Sequence, residues 1–440
     1  MTTIIAALQR VNDHLPELLS ERFINSLATK LGINWRKRIL HPAVMVHVLI
    51  MQILFCNAAY THLPRLSHRR FTAAAFCKAK QRLPLALLDH LIAAIWRRCS
   101  HGEDAVRFHG HRTFFADGSS VSMPDTPSLQ ERFGLPTSIK PGCGFPVMKL
   151  LMLFDASTGL IRQVFQNPYR SHESRLIHQM HPLLKKGDLL VADRGFCSFL
   201  HLANLLGQRL HGLFRLHQRI KTTFESAGRW ANMRQQLVRI LGPGDQLVVY
   251  RKLRVCPKWI SQADYDQLPQ ELILRELYYR VNRGGFRSRN FTLVTTLLDP
   301  QIYPAAELVE LYGRRWQVEL NFRHLKTTLK MEVLHGKSPK MVQTEILAYV
   351  LVYNLVQLVI HEAARKQGVS PERISFVDAV RWITTADGHD DLSPLLMNPL
   401  RPGRFEPRVR KRRHTGYSYM MRPRAKLKAM IARGEDIGCK

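Results

Sequence analysis

The sequence predicts an α/β protein in which a mixed-sheet domain follows a helical N-terminal segment. Two observations support this fold class. Apolar residues at helical spacing run through residues 1–104, and from residue 113 onward short β-rich apolar runs alternate with helical stretches. Alternating strands and helices are typical of a sheet with helices packed on its faces. A basic region, residues 373–440, ends the chain.

The first 104 residues are expected to form helices. Their longest apolar run, residues 43–56, contains His47 and Gln52 and is too short to span a membrane, so we expect a buried helix. The second half of the segment is basic and suggests a DNA-binding domain, although a solvated helix surface explains the charge nearly as well. The cations concerned are Arg69, Arg70, Lys78, Lys80 and Arg82.

Residues 105–217 are expected to form the first part of the sheet domain. A strand over 113–123 is followed by a hairpin over 146–165, whose turn is the sequence DASTG. Helix, strand, helix and strand patterns then occupy 171–187, 188–196, 198–208 and 211–217. Three adjacent strands followed by crossover units predict a mixed sheet.

Residues 218–290 break this alternation and are expected to form a β-rich insertion. Strand patterns occur at 245–255 and 272–282, and a basic loop follows at 283–290. An insertion on a core usually adds substrate contacts rather than chemistry. The sheet domain is expected to resume with a strand at residue 291 and to end near residue 372.

The charge balance predicts a polyanionic partner. The chain has 65 Lys and Arg against 34 Asp and Glu, a net charge of +31, and a pI near 10.4. The excess concentrates at the ends, with 14 basic against 4 acidic side chains in residues 1–100 and 13 against 3 in residues 401–440. Nucleic acid is the polyanion that such a protein most often binds.

No membrane partner is expected. The apolar run at 346–360 contains Asn354 and Gln357 and is therefore expected to be a buried helix. The N-terminus lacks the basic start of a signal peptide, and the seven cysteines are scattered without a CxxC pair. These features favour the cytoplasm and free thiols.

Residues 310–330, ELYGRRWQVELNFRHLKTTLK, have the pattern of one helix with a polar stripe inside its apolar face. At about 100° per residue, the stripe lies between apolar flanks, one of which holds Trp316 and Leu320. The water-facing side is expected at Arg314, Gln317, Asn321, His324 and Thr328. Burying unpaired charge costs several kcal/mol, so the stripe must be paired or must face a metal, a polyanion or a wet cleft. Its members are Tyr312, Arg315, Glu319 and Lys326.

Two aspartates are expected where buried strands reach open loops. Asp117 ends the run TFFAD and precedes glycine, and Asp193 ends LLVAD. Such rims are where α/β sheets build their sites, although an aspartate before glycine is more often a turn residue. Converging with Glu319, the two aspartates would suit Mg²⁺ or Mn²⁺, because clustered carboxylates repel without a cation. A pair of ions could activate water or a 3′ hydroxyl and stabilise the leaving oxygen.

With Asp117, Asp193 and Glu319 in this order, the chain resembles the Asp-Asp-Glu transposases built on an RNase H-like fold. The spacing Tyr312-x2-Arg315-x3-Glu319-x6-Lys326 resembles the signature of the bacterial insertion sequence 4 family. The stretches ADGS, ADRGF and the arginine-rich tail also resemble that family. The resemblance covers roughly residues 105–430, and residues 1–104 match only loosely.

The resemblance implies a role for each of these residues. The three acids would hold two Mg²⁺ or Mn²⁺ ions. Arg315 and Lys326 would bind phosphates near the element end, and Tyr312 would add a hydrogen bond. Arg323 and Lys330 would widen the basic strip, although a plain surface role is equally plausible.

The resemblance also implies a base-stacking position before the signature helix. Phe291 stands there where a tryptophan is known, which leaves a hairpin step open, and a core role for Phe291 is the alternative.

The function implied is a DNA transposase that nicks element ends and joins the freed 3′ hydroxyl to target DNA. Its expected partners are double-stranded terminal inverted repeats, target DNA and a second copy of the chain in a homodimer, with no membrane. A nuclease or resolvase on the same fold would cut without joining. A non-catalytic DNA-binding protein is the remaining alternative.

Overall fold

The computed structural model of the protein describes the greater part of the chain, including both aspartates and the whole of residues 290–400. The loop predicted at 283–290 lies outside the described residues except for Asn290, and so does the tail from 401 to 420. The described ranges are 3–35, 38–100, 107–136, 140, 142–171, 176–216, 236–257, 260–280, 290–400 and 421–435.

Within the described residues, nine strands form one mixed sheet in the order β3-β2-β1-β4-β5-β9-β8-β7-β6. The first three strands pair antiparallel, and β4 and β5 join β1 in parallel. The mixed α/β fold, with three adjacent strands followed by crossover strands, is therefore confirmed. The strands are β1 Thr113–Ser122, β2 Val147–Asp155, β3 Ile161–Pro168, β4 Leu189–Ala192, β5 His211–Arg215, β6 Gln236–Gly242, β7 Asp245–Arg251, β8 Glu271–Arg280 and β9 Asn290–Thr295.

The strands of the predicted insertion continue the sheet. Strand β8 pairs antiparallel with β9, which in turn pairs with β5, so β6 to β8 extend the sheet beyond the parallel strands. Arg275 of β8 is fully buried, and its guanidinium binds both carboxylate oxygens of Asp245 and the carbonyl oxygen of Tyr303. This buried pair fixes the added strands to the loop that precedes the helix at Ala305.

Fifteen α-helices surround the sheet in the described ranges. They are α1 Thr3–Gln9, α2 Leu15–Leu18, α3 Glu21–Lys30, α4 Pro42–Leu54, α5 Leu63–Leu66, α6 Ala73–Arg82, α7 Leu85–Cys99, α8 Pro127–Phe133, α9 Phe199–Gly207, α10 Gln262–Asp266, α11 Ala305–Arg314, α12 Trp316–Arg323, α13 Pro339–Gln367, α14 Phe376–Thr385 and α15 Arg424–Ala432. Every residue of α4 is buried, as its apolar run predicts. The helix predicted at 171–187 is instead a 3₁₀ helix over Ile177–Leu183, with Pro182 inside it; residues 172–175 lie outside the described part.

The central helix α13 packs against both the helical N-terminal segment and the sheet, because it contacts α4, α7 and β3. It is the one helix, among the described residues, long and apolar enough to cross a membrane, and 89% of its apolar window is buried inside the protein. Asn354 on this helix is fully buried and hydrogen bonds to the backbone of Ile161 in both directions, which satisfies its amide within the core.

The basic second half of the N-terminal segment does not present all of its cations to solvent. Lys80 is 1% exposed and its ammonium lies over the ring of Tyr60, so it cannot contact DNA from this position. Arg69 pairs with Glu21 at 3.3 Å. Arg70, Lys78 and Arg82 remain exposed. The sequence shows which residues of this segment are charged. Packing against α13 decides which of these side chains reach water.

Candidate active site

Asp117 lies in the middle of β1 and not at its end, because the strand continues to Ser122. The prediction that the strand ends at Asp117 is therefore wrong. What ends there is the parallel ladder: β1 pairs with β4 only as far as Ala116 opposite Ala192. At Asp117 itself, β1 pairs with β2 and no longer with β4, so Asp117 lies just past the end of the parallel ladder.

Asp193 follows directly on strand β4, as predicted, and precedes a 3₁₀ turn over Arg194–Phe196. The parallel ladder places Ala116 opposite Ala192. The residues that follow them, Asp117 and Asp193, are therefore adjacent. The loop after Asp193 is held by His201, a fully buried residue of α9 whose Nδ1 hydrogen bonds to the carbonyl oxygen of Phe196 at 2.7 Å.

The helix predicted over 310–330 is present but divided. It turns at Arg315 between α11 and α12 and finishes as a π-helical turn over His324–Thr328. Asn321, predicted on the water-facing side, is 3% exposed, whereas Trp316 and Leu320, predicted on an apolar flank, are 49% and 46% exposed. The polar stripe therefore lies at the border of the buried face. A helical wheel gives the angles between these residues, which lie on one regular helix, but it does not give the side of the helix that packs on the core.

The three acids line one cleft of about 460 Å³ together with three cations. The sheet supplies Asp117 and Asp193, and the helix supplies Glu319 from the opposite wall. The cations that line it are Arg315, Arg323 and Lys326. Gly118, Ser119, Phe322, Thr327 and Glu332 complete the lining. The structure thus brings the three predicted acids to one cleft.

Arg315 lies between the acids. Its Nη1 donates to Asp117 Oδ2 at 3.3 Å, and its Nη2 lies 3.8 Å from Glu319 Oε1. The side chain is 7% exposed. Burial lowers the pKa of Arg315, but Tyr312, Asp117 and Asp193 outweigh it and raise that pKa overall, so the guanidinium stays charged.

Tyr312 lies beneath the cleft at 5% exposure, and its hydroxyl donates to Asp193 Oδ1 at 3.2 Å. Burial raises the pKa of Tyr312, so the phenol remains a donor. In this position Tyr312 orients the second aspartate.

Burial raises the pKa of Asp117 to about 6, although Arg315 and the backbone N–H of Gly118 both lower it. Asp193 and Glu319 raise it further, because ionising Asp117 brings three negative charges together. The site therefore has more negative charge than one guanidinium balances. Three carboxylates with this excess suit a hard divalent cation. Among the described residues, however, no three His, Cys, Asp or Glu side chains are placed to hold a metal ion as they stand.

The remaining predicted cations differ in burial and in whether they line the cleft. Lys326 is half-buried in the π turn, and burial lowers the pKa of its ammonium, with Glu332 opposing that shift. Arg323 is exposed at the cleft wall. Lys330 is exposed but does not line the cleft; it has a left-handed φ of 68° just past the π turn.

Phe291 is half-buried on β9, and its ring centroid lies 5.3 Å from that of Tyr279 and 6.1 Å from that of Tyr312. The guanidinium of Arg215 lies 5.7 Å from the same ring centroid. Phe291 is thus adjacent to the site without lining the cleft.

Two residues near the site were missed from the sequence. Glu332 lines the cleft because the backbone after the π turn pairs with the end of β1 through the Ser122–Val333 bridge, a non-local contact that no motif indicates. Trp316 was taken for an apolar flank, yet it lies exposed beside Arg315, at 6.0 Å between guanidinium and ring centroid. Its position directly after the signature arginine was the available signal.

The profile described as Transposase DDE domain matches residues 108–355, and the chain belongs to this family. The resemblance to insertion sequence 4 transposases is likewise confirmed. The chain is 25% identical, over 93% of its own length and 93% of the relative, to transposase InsG for insertion sequence element IS4 of Escherichia coli K12. It is also 34% identical over 68 residues, 16% of this chain and 18% of the relative, to the transposase for insertion sequence element IS421 of Escherichia coli.

Among solved structures, the chain is similar to the piggyBac transposase synaptic complex with hairpin DNA, determined by cryo-EM. The TM-score is 0.46 and the identity 11%, and the match covers 88% of this chain and 80% of that chain.

The mixed sheet, with its first five strands in the order β3-β2-β1-β4-β5, agrees with the mixed α/β core that the sequence predicts. The protein is a DNA transposase, an enzyme of DNA cleavage and joining whose partner is DNA. Its family generally uses a divalent metal ion.

Proposed function

We propose that the protein nicks DNA at the ends of an insertion sequence and joins the freed 3′ hydroxyl to target DNA, using Asp117, Asp193 and Glu319 as its catalytic acids. The observation that carries this assignment is the shared cleft, in which two adjoining sheet positions and one helix position bring three carboxylates together among three cations. A cleft lined by both acidic and basic side chains can bind a metal cation and a DNA phosphodiester at the same time.

The three acids would hold Mg²⁺ or Mn²⁺, and two bound ions would activate the attacking oxygen and stabilise the leaving oxygen. The protein's own side chains would do the rest. Tyr312 keeps Asp193 oriented through its hydrogen bond. Lys326 and Arg323, at the cleft wall, bind phosphates of the element end, and Lys330 extends this basic strip outward. Trp316 and Phe291 offer aromatic faces on which a displaced base could stack.

A strand-transfer assay tests this proposal. Purified protein, Mg²⁺ and a labelled DNA end taken from the borders of the element should give joined products. Glu319→Gln should abolish them while DNA binding persists, because the substitution keeps the side-chain size and removes the charge. Glu310→Gln is the matched control, since Glu310 is an exposed carboxylate on the preceding helix. Cleavage without joining would favour a nuclease, and binding alone would favour a non-catalytic DNA-binding protein.

The N-terminal segment would bind DNA through a groove of about 900 Å³ between the loop before α4 and helix α6. The groove has an apolar floor that includes Trp35 and Phe71, and no Asp or Glu lines it in the described residues. Four cations line it instead, namely Arg38, Arg70, Lys78 and Arg82. A cationic groove without acids complements a phosphate backbone, and its aromatic residues can contact sugars or bases.

Alanine at Arg70, Lys78 and Arg82 tests this groove. If each cation neutralises one phosphate, the triple variant should lower the slope of log K against log salt by about 3. The matched control places alanine at Arg22, Lys30 and Arg97, exposed cations that do not line the groove. Equal losses in both variants would assign the effect to net charge and not to the groove.

The proposal includes a homodimer that holds two element ends, acting on DNA in the cytoplasm at the nucleoid. Light scattering of the protein with and without DNA ends measures this directly. A complex with one chain per two ends would contradict it.

A further inference from the structure

The guanidinium of Arg315 occupies the space between two of the three acids. It donates to Asp117 at 3.3 Å and lies 3.8 Å from Glu319, and its carbon Cζ lies 5.5 Å from the ring centroid of Tyr312. A monovalent cation therefore stands among carboxylates that together carry a larger negative charge. Its positive charge offsets part of the repulsion among the acids.

The contacts of Arg315 are weaker than those of a structural arginine. Charge-assisted N–H···O bonds are typically about 2.7–2.9 Å long, and neither of its contacts with the acids is that short. Its Nε is buried without a hydrogen-bond partner. The buried Arg275 provides the comparison, because it binds Asp245 at 2.8 Å and 2.5 Å and also binds the Tyr303 carbonyl oxygen at 2.7 Å. Arg275 is held by three short hydrogen bonds, whereas the contacts of Arg315 with Asp117 and Glu319 are longer, so Arg315 would lose less on moving away from these two acids.

We propose that Arg315 keeps the metal site closed until DNA binds. Its guanidinium takes the place of the metal ions between Asp117 and Glu319, and a DNA phosphate, which accepts a bidentate pair of N–H donors, draws it away. The acids are then free to bind cations. Metal ions and DNA consequently bind cooperatively, and by linkage each raises the affinity of the other by the same factor. This inference rests on the proposed role of the three acids.

The guanidinium contacts both Asp117 and Glu319, so a metal ion shared by these two acids would have to displace it. A closed site would restrict cleavage to protein that has already engaged an element end. Free enzyme would then not cut other DNA at random.

Mn²⁺ binding to the metal-free full-length protein tests this inference, with free Mn²⁺ measured from its electron paramagnetic resonance signal. Arg315→Gln should bind Mn²⁺ at least tenfold more tightly than wild type, because the competing cation is gone. Arg323→Gln removes the same charge from the exposed wall of the same cleft and should change the affinity less than threefold. The double variant Arg315→Gln/Glu319→Gln should lose the gain, which assigns the ion to this site.

DNA provides the second measurement. A short duplex carrying the element end should tighten Mn²⁺ binding by wild type and should have little effect on Arg315→Gln. Arg315→Lys keeps a positive charge but lacks the guanidinium that contacts both acids. Its affinity for Mn²⁺ should therefore fall between those of wild type and Arg315→Gln. Thermal melting identifies any variant that fails to fold, and Arg315→Lys then replaces Arg315→Gln in the comparison with Arg323→Gln.

The outcomes separate the two proposals. Mn²⁺ binding that is unchanged or weaker in Arg315→Gln, or equally tightened in Arg323→Gln, overturns the gating role and leaves the acids as metal ligands. If neither wild type nor Arg315→Gln binds Mn²⁺, with or without DNA, the proposed metal site and the gating role are both overturned.

Discussion

Glu345 should stabilise the protein by connecting the helical N-terminal segment to the backbone beside the cleft. The variant Glu345→Gln tests this. Glu345 is 1% exposed on α13. Its Oε1 accepts a hydrogen bond from Asn57 Nδ2 at 2.6 Å and one from the backbone N–H of His335 at 3.0 Å, and its Oε2 accepts the backbone N–H of Gly336 at 2.9 Å. These contacts fasten the backbone that follows the signature helix and carries Glu332 into the cleft.

The size of the effect follows from these contacts. A glutamine amide keeps one acceptor oxygen and turns the other into a donor, so one buried backbone N–H loses its partner at a cost of about 1–3 kcal/mol. The two bonds that remain lose their charge assistance, each worth about 1 kcal/mol more than a neutral bond. Relief of the buried charge offsets part of this loss. We therefore expect Glu345→Gln to lower the free energy of unfolding by about 3 kcal/mol.

Urea unfolding followed by circular dichroism measures this change, and strand transfer at a temperature where the variant remains folded measures the effect on the cleft. Glu372→Gln is the matched control, because Glu372 is an exposed carboxylate in the turn that follows the same helix. Its effect should be below about 0.5 kcal/mol. A Glu345→Gln variant as stable as this control would refute the reasoning.

Three further predictions concern other parts of the molecule. Burial, with a smaller contribution from His178, lowers the pKa of His181 to about 4. Between about pH 6.5 and pH 4 the unfolded chain binds a proton at this residue and the folded protein does not, so the free energy of unfolding should fall by up to about 3 kcal/mol over this range. Urea unfolding at several pH values should show a flatter dependence on pH for His181→Asn. Gly336→Ala should destabilise the folded protein by about 1–3 kcal/mol, because the added Cβ would lie 2.7 Å from the backbone nitrogen of Val342. Gly313→Ala is the control, because Gly313 lies in a helix with open space around it; thermal melts should show that this variant is stabilised by up to about 1 kcal/mol. DNA binding should weaken by at least about 1,000-fold between 50 and 200 mM salt if six or more phosphates are contacted, and a flat response in fluorescence anisotropy would contradict DNA as the partner.

Several features of this protein were determined by the sequence alone. The alternation of strands and helices predicted the mixed sheet. Two long apolar runs, each interrupted by polar residues, predicted that α4 and α13 are buried. The order and spacing of Asp117, Asp193 and Glu319 indicated the family that the Transposase DDE domain profile supports. The periodicity of each element and the spacing of the residues between Tyr312 and Lys326 are local, because they depend only on neighbouring residues.

Only the tertiary structure decided which charged groups meet. Lys80 and Arg82 are two residues apart on one helix, yet Lys80 is buried and Arg82 is exposed, because α13 packs on one side of α6 alone. The parallel register of β1 and β4 placed Asp117 beside Asp193, and the break at Arg315 turned its guanidinium between the acids. Pairing of strands and rotation of a helix about its axis are fixed by contacts between residues far apart in the chain, so no local pattern can specify them.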